Sequence, residues 1–271
     1  MDLSPEQEQL LREAAADNER KRAEIEAAKA KRDRTARMAD VIRQYRRSGG
    51  FKGDAKVRWR LCDDPATAVE KAADLLMRGL AYAIGPTAQW LPEYDEVAEW
   101  LSDNQGKGLM CIGDCGRGKT VITRDILSVL FAKTIRVRFQ DGTTGHPVYN
   151  YFLAKELKSR WAEVERCKII CVDDVGTEAI AKVYGETHNY FSELVDLCND
   201  RDKLLICSTN LSQEQLFGGV VDEPDDPSRP DGPTHRVVYP QRYDQRILSR
   251  LTGNTVRVWF EGDDLRMTKK Q

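Results

Sequence analysis

The residues best suited to chemistry lie in one stretch of eight. The stretch follows the pattern Gly-x-x-x-x-Gly-Lys-Thr and consists of Gly113, Asp114, Cys115, Gly116, Arg117, Gly118, Lys119 and Thr120. Glycines let successive backbone N–H groups turn inward around a phosphate, the lysine neutralises phosphate charge, and the threonine hydroxyl can ligate Mg²⁺. The pattern therefore predicts a loop that binds the phosphates of a nucleotide.

The segments on either side of this loop have the character that the chemistry requires. The apolar run 109–112 predicts a buried strand, and residues 121–131 predict a helix with apolar residues at 122, 126, 129 and 130. A strand, a glycine loop and a helix in this order are the context that confirms a phosphate-binding loop. We therefore expect ATP as the cofactor, with Mg²⁺ held by Thr120.

Two adjacent acids follow an apolar strand about one βα unit downstream. The run 168–172 predicts that strand, and it ends in Asp173 and Asp174. We expect Asp173 to hold Mg²⁺ through its water shell and Asp174 to polarise the attacking water, a pairing that favours hydrolysis over simple binding. The next predicted strand, 203–209, is followed by Asn210, a candidate for orienting that water.

In their order along the chain, these motifs resemble those of the DnaC/IstB-type AAA+ ATPases, the helicase loaders of bacterial replication and the ATPase helpers of certain transposases. The resemblance covers about residues 90–267 and is carried by GDCGRGKT, IICVDDVGTE, LLICSTNLS, YDQRILSRL and a terminal Gly-x-Asp-x-Arg. It implies that Asn210 is the sensor-1 asparagine. It also implies that Arg250 is the arginine finger and Arg246 its companion.

The resemblance implies a P-loop AAA+ α/β fold, a three-layer sandwich with a parallel sheet. It further implies that ATP hydrolysis loads or remodels a DNA-bound partner, foremost a replicative helicase, with single-stranded DNA and an ATP-dependent homo-oligomer. An ATPase regulator of a transposase is the first alternative. A P-loop kinase and an ATP switch that does not hydrolyse are two more, and Arg246 and Arg250 could instead be a surface pair on a solvated helix.

The elements that position these residues divide the chain in two. Residues 1–84 predict a helical amino-terminal region that binds the partner, with a basic segment at 29–47 that could contact phosphate backbone or an acidic protein. Residues 85–271 predict the ATP-binding AAA+ domain, in which 154–165 and 178–198 are expected to be helical.

An insertion at 217–240 departs from the family pattern. It holds five of the ten prolines of the chain and five acidic residues. Such a composition predicts a surface loop that is mobile until it meets a partner.

Composition bounds the remaining possibilities. The chain has 42 Lys and Arg against 44 Asp and Glu, a net charge of −2, so any contact with DNA must be local. The seven cysteines predict small buried thiols in a reducing compartment rather than a zinc site. Since the acidic amino terminus has no apolar signal region and no apolar run approaches the roughly 20 residues that span a bilayer, we expect a cytoplasmic protein without a membrane segment.

Overall fold

A computed structural model describes residues 56–139, 142–178, 181–183, 186–225 and 232–266. The helices are α1 (Pro65–Ile84), α2 (Glu93–Ser102), α3 (Leu127–Lys133), α4 (Trp161–Val164), α5 (Tyr190–Asp200), α6 (Gln213–Phe217) and α7 (Gln245–Asn254). A π-helical segment, Val121–Ile126, leads directly into α3, and a 3₁₀ turn covers Ala154–Glu156. The predicted helix and basic segment within residues 1–55 lie outside this description.

The main sheet contains five parallel strands. The strands in chain order are β1 (Gly108–Gly113), β2 (Val137–Arg138), β3 (Thr144–Gly145), β4 (Tyr149–Leu153), β5 (Ile169–Asp173), β6 (Ala181–Val183), β7 (Glu186–His188), β8 (Leu204–Thr209), β9 (Gly219–Pro224), β10 (Thr234–Tyr239) and β11 (Thr255–Phe260). The sheet has the order β11-β1-β8-β5-β4, and all its pairings are parallel. This confirms the predicted parallel α/β architecture.

Helices cover both faces of the sheet, so its central strands are buried on both sides. Leu109 and Cys111 of β1 join one core with residues of α1, α2 and α3, whereas Met110 and Ile112 join a second core with residues of α5 and α7. Strands covered on both faces are expected to be almost continuously apolar, which explains why β1, β5 and β8 are visible in the sequence. The result is the predicted three-layer sandwich.

Helix α1 packs into the same core as the sheet. Asp64 caps its start by accepting a hydrogen bond from the Thr67 N–H at 2.8 Å, and Pro65 occupies the first turn. Its buried face consists of Ala68, Ala72, Leu76 and Leu80. The cap and the proline thus favour a helix start at this point, and burial of the apolar face against the core stabilises the helix.

The helix after the glycine loop is shifted from its predicted register. Ile122, Ile126 and Leu130 are buried as expected, but Val129 is 57% exposed, and Leu127 and Phe131 are buried in addition. The π-helical segment is the cause, because the Leu127 N–H bonds to the carbonyl of Ile122, five residues back. This wider turn moves the buried stripe one residue along the chain.

Two predicted helices are shorter than expected. The stretch 154–165 contains only the 3₁₀ turn and the four-residue helix α4. The helix predicted over 178–198 was wrong in its first half. There β6 and β7 form an antiparallel pair, and α5 begins only at Tyr190. Asn189 caps α5 by accepting hydrogen bonds from the N–H groups of Phe191 and Ser192. Because such a cap marks the first turn of a helix, α5 does not extend back to residue 178.

The insertion is a β-hairpin in its described part, so the prediction of an unstructured loop at 217–240 was wrong. Strands β9 and β10 pair antiparallel over six residues each, with Val220 opposite Val238. The prolines explain the error, since Pro224 ends β9 while Pro233 and Pro240 flank β10. Proline at the ends of strands leaves the hydrogen-bond ladder intact.

Candidate nucleotide-binding site

The glycine loop joins the carboxyl end of β1 to the π-helical segment. Gly113, Gly116 and Gly118 have φ angles of +127°, +76° and +90°, a region that side chains rarely adopt. A Cβ atom on Gly118 would lie 2.7 Å from the Tyr94 hydroxyl, and one on Gly113 would collide with the Phe260 carbonyl. These positions therefore require glycine for both conformation and space.

A buried ion pair supports the loop from behind. The Arg117 guanidinium donates two hydrogen bonds to the Glu93 carboxylate, at 2.9 and 3.0 Å. The Tyr94 hydroxyl donates to the Arg117 carbonyl at 3.0 Å, and its burial, together with the Glu93 charge, raises its pKa to about 12. The side chain of Arg117 thus anchors the predicted phosphate loop to α2.

Lys119 lies inside the curve of the loop. Its amine donates to the carbonyl of Gly113 at 2.8 Å and to that of Asp114 at 2.6 Å, and the residue is only 6% exposed. Burial lowers the pKa of Lys119, while the thiols and carboxylates around it, among them Cys115 and Asp173, oppose that shift. A phosphate oxygen would supply the amine with a stronger, charged acceptor than the two carbonyls.

The carboxyl-terminal tail lies against the same loop. The Asp114 N–H donates to the Phe260 carbonyl at 2.7 Å, and the Gly262 N–H donates to the Asp114 carboxylate at 2.9 Å. The Asp264 carboxylate sits so close to Gly116 that a Cβ there would collide with it. Hydrogen bonds from Arg266 lower the pKa of Asp264 to about 2, so this acid is ionised beside the loop.

The two predicted acids occupy the tip of β5 in different environments. Asp173 is 1% exposed and accepts hydrogen bonds from the Tyr151 hydroxyl, at 2.7 Å, and from the Ser208 hydroxyl. Asp174 is half-buried in a left-handed conformation, φ +58°. Its burial and then the charge of Asp173 raise its pKa, while Lys119 acts in the opposite direction.

Strand β8 lies between β1 and β5 and carries Asn210 just beyond its end, where the residue is exposed. The helix after β1 packs on one face of the sheet and the helices after β8 pack on the other. Ligands of open α/β sheets bind in the crevice that opens between two such strands at their carboxyl ends. Lys119, Asp173 and Asp174 all lie at this edge and act on one another electrostatically.

These residues fit a nucleoside triphosphate with a divalent cation. The glycine backbone and Lys119 offer positive groups to phosphates, and the Thr120 hydroxyl and Asp173 carboxylate are the hard oxygen ligands that Mg²⁺ prefers. Within the described residues, no group of three or more His, Cys, Asp or Glu could hold a metal. Mg²⁺ commonly binds one or two protein oxygens together with phosphates and waters.

The predicted arginine pair contacts a neighbouring helix. Arg246 Nη2 lies 3.0 Å from one oxygen of Asp196 on α5, and Arg250 bonds to the other oxygen. Arg250 Nη2 also lies 3.9 Å from Asp200. Both arginines therefore share one face of α7, as their spacing predicted, and that face is directed to α5 by their common carboxylate.

Several residues of the site were not singled out by the sequence. Glu93, Tyr94, Tyr151, Ser208 and Asp264 contact the loop or the acids from distant parts of the chain. Ser208 precedes Asn210 by two residues, and so its position at a strand tip was a usable signal. Asp264 is the aspartate of the terminal Gly-x-Asp-x-Arg pattern, which gave it no role in the site. Glu93, Tyr94 and Tyr151 become visible only when the fold is known.

No protein-family model matches the chain, and no curated protein matches it. Among solved structures, it is similar to the DnaC helicase loader at 16% identity over 71% of this chain and 90% of that one, with a TM-score of 0.35. It is also similar to AMPPCP-bound DnaA from Aquifex aeolicus at 15% identity, with a TM-score of 0.31. That match covers 58% of this chain and 41% of the DnaA chain.

Among the described residues, no helix is long and apolar enough to cross a membrane.

Proposed function

We propose that this protein binds and hydrolyses ATP with Mg²⁺ as an AAA+ ATPase. The observation that carries the proposal is the convergence of Lys119, Asp173 and Asp174 at one edge of a parallel sheet, beside a glycine loop whose backbone is already curved. A phosphate-loop lysine and an acid at the end of a nearby strand of the same sheet are recurring parts of P-loop enzymes that transfer phosphoryl groups to water.

The residues would divide the work as follows. The loop N–H groups and Lys119 bind the phosphates, and Thr120 and Asp173 would hold Mg²⁺, which neutralises phosphate charge when bound. The hydroxyls of Tyr151 and Ser208 fix the orientation of Asp173. Asp174 accepts a proton from, or orients, the attacking water, with Asn210 as a second contact.

The biological role that we propose is the loading or remodelling of a DNA-bound partner, most directly a replicative helicase. Its support is the ordered set of motifs that resembles the DnaC/IstB type, from GDCGRGKT to the arginine string. Single-stranded DNA, partner binding through residues 1–84 and an ATP-dependent homo-oligomer belong to the same proposal. A transposase as partner is the alternative, and binding assays with both partners distinguish them.

The test is to measure ATP binding and phosphate release by the protein and two variants. Lys119→Ala should weaken ATP binding by about tenfold to a hundredfold, because charge-assisted hydrogen bonds are lost. Asp174→Asn should bind ATP normally and release phosphate about 10²–10⁴-fold more slowly. The control is Lys133→Ala, which removes an exposed lysine at the end of α3 and should change neither property.

The pH dependence of turnover sharpens the test. Because the pKa of Asp174 is raised, this carboxylate becomes protonated at a higher pH than an ordinary aspartate. Turnover should therefore begin to fall on acidification above the usual carboxyl range, and Asp174→Asn should lack that step. Binding without phosphate release would indicate an ATP switch, and phosphate transfer to an added acceptor would indicate a kinase.

A further inference from the structure

We propose that Glu178 is a positioning residue that ties the acidic turn after β5 to the start of the arginine helix α7. The inference rests on the proposed ATPase function and adds to it a structural link between the turn that carries Asp174 and the arginines of α7. Glu178 is 4% exposed, although a carboxylate is costly to bury without partners. It stands four residues after Asp174 and was not among the predicted site residues.

One end of the coupling is the turn that carries Asp174. The Glu178 carboxylate accepts a hydrogen bond from the Gly176 N–H at 2.8 Å. Within the same turn, the N–H and hydroxyl of Thr177 both donate to the Asp174 carbonyl, at 3.1 and 2.7 Å, and the Val175 N–H donates to the Ser208 carbonyl at 2.8 Å. Asp174 and Glu178 are thus parts of one closed turn.

The other end is the entry to α7. The other oxygen of Glu178 accepts hydrogen bonds from the Tyr243 hydroxyl and from Arg242 Nε, the latter at 3.4 Å. Arg242 Nη2 also donates to the Glu178 carbonyl at 2.8 Å. Both partners lie directly before Asp244, which caps α7, so a displacement of the turn acts on the first residues of the helix.

The entry to α7 has a second anchor on α6. The N–H groups of Arg242 and Tyr243 both donate to the Leu216 carbonyl, at 3.2 and 3.0 Å. The chain therefore enters the hairpin β9–β10 directly after α6 and leaves it shortly before Arg242 and Tyr243, the two residues whose side chains contact Glu178. Since Arg246 lies only three residues after Tyr243, its position and that of Arg250 depend on this junction.

The charge of Glu178 distinguishes coupling from simple packing. A turn that only needed hydrogen bonds could be closed by a neutral amide, whereas a buried carboxylate also orients the Arg242 guanidinium. Burial and the Glu178 charge raise the pKa of Tyr243, so its hydroxyl stays a donor throughout the physiological range.

The first measurement compares Tyr243→Phe with Tyr239→Phe, which removes a part-buried hydroxyl bonded to Glu223 on the hairpin. Tyr243→Phe should leave ATP affinity within about twofold and lower turnover by about tenfold or more, because a misplacement of about 1 Å can cost about a hundredfold. Glu178→Gln should do the same if Tyr243→Phe folds poorly, as thermal melting will report. Turnover unchanged in both variants would overturn the inference, and Tyr239→Phe should remain at the wild-type rate.

The second measurement asks which subunit carries the defect. A Lys119→Ala subunit has intact arginines but a defective phosphate loop, and an Arg250→Ala subunit has an intact phosphate loop but lacks the finger. A mixture of the two should therefore recover activity. Adding Tyr243→Phe to the Lys119→Ala subunit should remove that recovery, and adding it to the Arg250→Ala subunit should matter little. The opposite result would assign the network to Asp174 alone and overturn the coupling. No phosphate release by the unmodified protein would instead contradict the proposed function, and an inactive parent mixture would contradict the shared site while leaving the first measurement decisive.

Discussion

The phosphate loop and the arginine helix are both held by ion pairs, but the two sets of pairs differ in burial. The side chains of Arg117 and Glu93 are 10% and 5% exposed. On α7, Arg246 is 60% exposed, Arg250 is 26% exposed and their common partner Asp196 is 25% exposed. One region is built into the core and the other is accessible from solvent.

This difference indicates two roles for charge in one domain. A buried pair loses much if one partner is removed, so the Glu93 pair fixes the loop before any ligand arrives. Exposed pairs contribute little and exchange readily, so Arg246 and Arg250 can leave Asp196 for a more strongly charged acceptor. A phosphate of a neighbouring subunit would be such an acceptor.

The largest effect should come from removing Arg250, the arginine that we propose to act in trans. Arg250→Ala should lower ATP turnover by about 10³–10⁵-fold, because an arginine finger stabilises charge in the transition state. Turnover should return in part when this variant is mixed with Lys119→Ala. Full activity of Arg250→Ala alone would contradict a role in trans and would indicate that Arg246 and Arg250 form only a surface ion pair with Asp196. Arg236→Ala, at an exposed site on the hairpin, is the control.

A smaller but still large effect should follow from removing one partner of the buried ion pair between Arg117 and Glu93. Glu93→Ala should lower the free energy of unfolding by about 3–5 kcal/mol, because Arg117 is left buried and unpaired. Urea denaturation measures this, with Glu96→Ala as the control at an exposed position on the same helix. A loss below about 1 kcal/mol would place this pair in the class of surface pairs.

The smallest effect should come from Asp196, the partly exposed carboxylate on α5. Asp196→Asn should change the free energy of unfolding by only about 0.2–1 kcal/mol. That difference should shrink as NaCl is raised, because exposed charges are screened, while the effect of Glu93→Ala should persist. Equal salt dependence in both variants would contradict the contrast between the two regions.

The sequence predicted the elements whose signal is local. The strands β1, β5 and β8 are apolar runs with a defined end, and the loop between 113 and 120 has a fixed pattern. The prediction failed where two local signals competed. The segment 178–198 contains a helical stripe only from Tyr190 onward, and Pro224, Pro233 and Pro240 of the insertion lie at strand ends rather than in a loop.

The candidate site was predictable in its centre and not at its periphery. Lys119, Asp173 and Asp174 came from motifs, because their chemistry depends on spacing along the chain. Residues such as Glu93 and Glu178 act through partners more than 20 positions away, Arg117 in one case and Tyr243 in the other. No periodicity reports such contacts, since they depend on which helices the sheet order places side by side.

The π-helical segment after the loop has a consequence for how this chain can change in length. A π turn holds one residue more than an α turn, so Val121–Ile126 accommodates one residue more than an α-helix would over the same length. Removing one residue there would leave Leu127 and Phe131 facing the core, whereas removing one from α3 would rotate all that follows by about 100°. Chains descended from this one can therefore differ by a residue at this point and keep the same interior.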